Sequence, residues 1–144
     1  MYGDTEVLRR RVDQLREQAV DLRGLADQLV ARTESTGWTG RAADSMRVRV
    51  TERATRLRGA AAQHETAADS LERHLHEVES QQEAIAAIER RVGELVAEAR
   101  TRTARTARAA RASAGPDPDD VTLCAFEAPP SGHRDWLAVE LPGL

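Results

Sequence analysis

At 144 residues the chain has room for one modest domain, and one Phe, one Tyr and two Trp leave few bulky groups for a thick globular core. All 21 basic residues are Arg, set against 24 acids for a net charge of −3, a balance that does not call for a nucleic-acid partner. No run of 18 apolar residues exists to span a bilayer, and a single cysteine, Cys124, excludes an internal disulfide.

Lys and Asn, both written with A-rich codons, are absent, which points to a GC-rich bacterial genome and makes the abundance of Arg weak grounds for phosphate recognition. The charge is divided: residues 115–144 carry six acids and one Arg, or −5, and the rest of the chain +2. Met1 to Arg11 is charged and lacks the apolar run of a secretory signal peptide, so export, if it occurs, is expected by a signal-peptide-free or folded-protein route.

From residue 4 to 34 apolar residues recur at Leu8, Val12, Leu15, Ala19, Leu22, Ala26 and Leu29, an unbroken 4,3 alternation. That spacing predicts a helix with one stripe facing a partner helix, Leu at one core position and mostly small residues at the other. Asp4 or Thr5 is expected to cap its start, because their side-chain oxygens accept from unpaired first-turn amides. Residues 35–40 interrupt the pattern with Gly37 and Gly40 and predict a turn, with Thr39 or a polar neighbour capping the helix that follows.

That second helix, predicted over 41–99, repeats one position every seven residues: Val50, Leu57, His64, Leu71, Val78, Ile85, Val92 and Ala99. Its companion positions are small at first (Ala54, Ala61, Ala68) and polar later. The first helix can cover only about 30 residues of the second, at ~1.5 Å per residue. The seam beyond about Leu71 then needs another chain, a folded-back third helix or the tail to cover Val78, Ile85, Ile88, Val92, Leu95 and Val96. Ser80-Gln81-Gln82-Glu83 reads either as a capping box that breaks the helix or as continuous helix. Arg100, Arg102, Arg105, Arg108 and Arg111 punctuate an Arg/Ala/Thr-rich extension or linker over 100–114. The acidic tail over 115–144 is predicted largely irregular, with strand-like runs at Val121–Phe126 and Trp136–Leu141 around Pro129-Pro130-Ser131-Gly132. The predicted fold is therefore all-α: an antiparallel helical hairpin over 1–99 with a long second helix, followed by extension and tail.

The segment Gly37-Trp38-Thr39-Gly40, followed by Ala42, Ala43 and Met46, resembles the Trp-x-Gly (WXG) signature of the small proteins handled by bacterial type VII secretion. Position and flanking helices fit as well, so the resemblance covers about residues 4 to 90. It implies a hairpin that forms a four-helix homo- or heterodimer with another WXG-type hairpin or a type VII toxin and meets the secretion machinery. It also implies a secreted substrate or export partner, cytoplasmic before export and then secreted or at the cell surface. The family's Tyr-x-x-x-Asp/Glu signal follows the second helix; this tail has no Tyr, and Tyr2 and Glu6 show the spacing at the other end. The departure implies reliance on a partner's signal, or kinship with the amino-terminal modules of larger type VII toxins.

On physical grounds Trp38 can cover the open ends of both helices, as a plug alone or also as a recognition element, and Gly40 lets the backbone pass closely. The candidate packing residues are Leu8, Val12, Leu15, Leu22 and Leu29 on the first helix, and Met46, Val50, Leu57, His64, Leu71, Val78 and Ile85 on the second. His64 on a seam sets register or pairing, or responds to pH. Glu72, His76 and Glu79 share a helix face but read as solvated surface, so no metal and no cofactor is expected. No nucleophile elbow, phosphate loop or His-supported nucleophile is present, and the chain is read as a non-enzyme. The alternative is a cytoplasmic coiled-coil scaffold whose Arg100–Arg111 segment binds nucleic acid.

Overall fold

The computed structural model describes residues 2–109 and 115–144, and every regular element among them is helical. Helix α1 spans Tyr2–Ser35, α2 Arg41–Arg108 and α3 Pro118–Cys124, and a 3₁₀ helix spans Arg134–Ala138. The chain divides into two compact units, Met1–Val78 and Glu79–Leu144, with α2 contributing to both.

In the first unit α1 starts earlier than the cap residues suggested. Thr5 lies inside the helix and is buried, because it stands seven residues before Val12 and continues the same row. The row is completed by Ala19 and Ala26, both wholly buried, and faces Ala54, Ala61 and Ala68 on α2, also wholly buried, with Leu75 behind them. Ala side chains allow two helix backbones to approach closely, so the tightest packing falls on the small residues. Ion pairs fix the register. Arg16 reaches Glu72 (2.8 Å) and Asp69 (3.4 Å), Arg23 grips Glu65 with both guanidinium nitrogens, and Arg58 reaches Asp27 (2.7 Å). Partner numbers on α2 fall as those on α1 rise, an order consistent with an antiparallel arrangement.

Between the helices Gly37 (φ 62°) and Gly40 (φ 96°) hold left-handed backbone that an L side chain strains to adopt. That conformation, and not a close approach of backbones, is the reason for Gly40, since a Cβ there would meet nothing within 4 Å. The first turn of α2 closes with Asp44 N donating to the Gly40 carbonyl (3.1 Å), so Gly40 stands at the cap in place of Thr39.

Helix α2 is continuous through Ser80–Glu83, where Gln81 and Gln82 are good helix formers, so the capping-box break does not occur. It also takes in the Arg/Ala/Thr extension as far as Arg108; Arg111 and the rest of 110–114 lie outside the described residues. Hydroxyls of Thr101, Thr103 and Thr106 are satisfied by the carbonyls four residues earlier, at 2.9–3.0 Å.

In the second unit the tail departs most from expectation. The run Val121–Phe126 is not a strand: Asp117 caps α3 by accepting from Asp119 N (3.0 Å), Pro118 opens it, and Asp119 and Asp120 sit in its first turn. Trp136 likewise belongs to the 3₁₀ helix, held by Nε1 donating to the Pro130 carbonyl (3.0 Å). The tail covers α2. Trp136 packs on Ile85 and Val92 with Phe126, Ile88, Val96, Val139 and Leu141 around it, and Leu123 packs on Leu95 and Ala99. Of the three ways of burying the excess seam, the tail is the one adopted from Ile85 to Val96, so that this stretch no longer requires a second chain, while Val78 stays half-buried in the first unit.

Polar contacts hold the tail to the helix: Glu89 accepts from Gly132 N (3.2 Å), and Arg91 donates to the Gly143 carbonyl (3.4 Å). The strongest joins the Arg102 guanidinium to the buried Asp120 carboxylate through Nε (3.0 and 3.1 Å) and Nη2 (2.6 Å). Hydrogen bonding from Arg102 holds the Asp120 carboxyl below the usual range, against the opposing push of burial. A depressed carboxyl stabilises the folded tail fully above the unfolded value of about 3.9, and that stabilisation is lost as pH falls through the lower folded value. In acid titrations of wild type and Asp120→Asn, followed by hydrogen exchange at 118–126, protection of wild type should fall below about pH 4. Asp120→Asn should start with weaker protection and lack this acid step. Parallel acid limbs in the two proteins would refute the role given to the pair.

Candidate protein-binding face

The first unit sorts its two rows of apolar residues onto opposite edges. Arg16 and Arg23 stand three residues before Ala19 and Ala26, and Glu65 and Glu72 four residues after Ala61 and Ala68. Those helical positions border the Ala row on the side away from the leucines, so the interhelical ion pairs close one edge. Hydrogen bonds from Arg23 and Arg16 hold the Glu65 and Glu72 carboxyls below the ordinary range, and both guanidiniums are raised in turn.

The other edge is apolar and open. Leu8, Leu15, Leu22 and Leu29 on α1 are only half-buried, as are Leu57, His64, Leu71 and Val78 on α2. The register places Leu15 level with Leu71, Leu22 with His64, and Leu29 with Leu57. Three residues after each α1 leucine come Arg11, Gln18, Leu25 and Arg32, all exposed, with Leu25 at 54%. The corresponding α2 positions are Met46, Arg53, Ala60, Ala67 and His74. No carboxylate stands among these flanking positions. His64 Nδ1 donates to the Ala60 carbonyl (2.9 Å), which fixes the ring along its own helix.

At the turn, Leu29, Thr33, Ala43, Val50 and Trp38 contribute to an open concavity of ≈ 220 Å³, and a shallower one lies between Leu29, Leu57, Arg53 and Arg56. Trp38 remains 61% exposed and Met46 48% exposed. Trp38 is thus a wall of this concavity and not a closed plug. Its carbonyl accepts from the Arg47 guanidinium, which also pairs with Asp44 (2.8 Å).

Of the candidate packing residues, Val12, Val50 and Ile85 are buried, Ile85 beneath the tail in the second unit; Met46 is exposed and the others are half-buried. Leu25 and the unpaired Arg flanks were missed, although a count of three from each leucine locates them. Trp136 and the Arg102–Asp120 pair left no local signal, because their partners are distant in sequence. Among the described residues no group of three or more His, Cys, Asp or Glu gathers as a metal site, and Glu72 is engaged by Arg16. At the end of α2, Arg102 is committed to Asp120 and Glu98, while Arg100, Arg105 and Arg108 are exposed.

Compared with known proteins, the chain matches no family model, no curated protein and no solved structure. No helix among the described residues is long and apolar enough to cross a membrane.

Proposed function

We propose that this chain is a helix–helix interaction protein: an antiparallel hairpin whose Leu edge docks on another helical hairpin to form a four-helix bundle. One observation carries this. The ion pairs joining the helices lie on the Ala edge, while half-buried leucines of both helices line the opposite edge. An apolar stripe of this kind is stabilised by covering it.

The Trp38-Thr39-Gly40 turn at the tip, with its exposed indole, supports placing the chain with the WXG-type proteins of type VII secretion, as a secreted substrate or an export partner. It acts by binding, not catalysis. It waits in the cytoplasm and leaves by a route that needs no signal peptide, bound to a WXG-type hairpin or a type VII toxin. Exchange of Trp38 for Ala in a bacterium with a type VII system should abolish its appearance in the medium while circular dichroism of the purified variant stays that of the wild type. Undiminished secretion together with undiminished partner binding would refute the assignment.

A further inference from the structure

Building on the docking role of the Leu edge, we infer that this edge selects a different chain carrying carboxylates beside its apolar stripe, in preference to a second copy of itself. The positions flanking the stripe decide which partner fits, because they meet the partner's flanks whichever way two hairpins pack face to face. Here they are Arg11, Arg32 and Arg53, separated by uncharged residues such as Leu25, Ala60 and Ala67.

None of the three arginines is in an ion pair: Arg11 donates only to Gln14 of its own helix (3.3 Å). The carboxylates that pair between the two helices, Asp27, Glu65, Asp69 and Glu72, lie instead on the closed edge, held by Arg58, Arg23 and Arg16. On the open side Asp4 heads the row of Arg11 and Arg32. The next acids, Asp21 and Glu77, stand one step further round their helices beside Arg49 and Arg56, the latter paired with Glu52. Three arginines against one acid leave the flanks cationic. Two copies brought together on this edge therefore set cation against cation at the rim. A partner with Asp or Glu there gains attraction instead, and repulsion of the wrong partner supplies the selectivity.

The test needs only this protein and two variants, each checked for helicity by circular dichroism. In R11E/R32E/R53E the flanks are reversed, and in R11Q/R32Q/R53Q they are neutral. By sedimentation at about 50 mM NaCl, the wild type should bind R11E/R32E/R53E at least about tenfold more tightly than it binds itself. R11Q/R32Q/R53Q should self-associate more tightly than the wild type. At about 1 M NaCl, where the Debye length is about 3 Å, these differences should vanish as the wild type self-associates too. Equal self-association of the wild type at both salt concentrations, with no preference for R11E/R32E/R53E, would overturn the partner selectivity and leave the docking edge standing. Monomers in every mixture and at every salt concentration would overturn the docking edge, and the selectivity with it.

Discussion

Trp136→Ala is expected to release the tail from α2. The indole is 3% exposed and sits between Ile85, Val92 and Phe126, whose ring centroid is 6.2 Å away. Truncating a buried Trp costs about 3–5 kcal/mol, from lost transfer energy and the cavity left behind. Besides this contact the tail is held only by the smaller cluster of Leu123 on Leu95 and Ala99 and by a few polar contacts, so the loss should be felt over its whole length. Hydrogen exchange should show lost protection at 118–141, and a protease should cut there first, while protection of α1 is unchanged. Retained protection of 118–141 in the variant would show that the tail is held by something other than this contact.

Ala61→Leu should loosen the α1–α2 pair by about 1–3 kcal/mol, the range for forcing extra methylenes into a filled site. Ala61 and Ala26 are both fully buried at the same level of the register, leaving no room for a larger side chain without separating the backbones. Leu and Ala have nearly equal helix propensity, so the loss would arise in packing and not in α2 itself. Ala62→Leu, at the neighbouring exposed position, is the control and should stay within about 0.5 kcal/mol of wild type. Thermal unfolding followed by circular dichroism measures both; equal midpoints for the two variants would mean that the Ala row is not the closest contact.

The helices were legible because their causes are local: the 4,3 spacing from Leu8 to Leu29, the glycines beside Trp38 and the seven-residue repeat from Val50 are all short-range patterns. The division of labour between Leu and Ala was not. Hydropathy ranks Leu above Ala and so favours the leucines as the centre of the contact, whereas the distance between two helices is set by the smallest facing pair, here Ala19 to Ala68 and Ala26 to Ala61. In the tail, the β-branched and aromatic residues from Val121 to Phe126 suggested a strand, although Asp117-Pro118-Asp119-Asp120 is a helix-start signal within four residues. Local capping and docking on α2 outweighed strand propensity, which depends on context. The union of Trp136 with Ile85 and Val92 joins residues more than forty positions apart, and no periodicity reaches that far.

The Ala row has a consequence beyond packing. Because the helices are closed by one set of positions and face outward with another, changes on the outward set leave the integrity of the hairpin largely intact. Substitutions at Leu25, Arg53 or Ala60 can accumulate without unfolding the chain that carries them. Such a scaffold can change allegiance over evolutionary time while conserving its frame, and a duplicated gene could acquire a new counterpart by a few exchanges along a single edge.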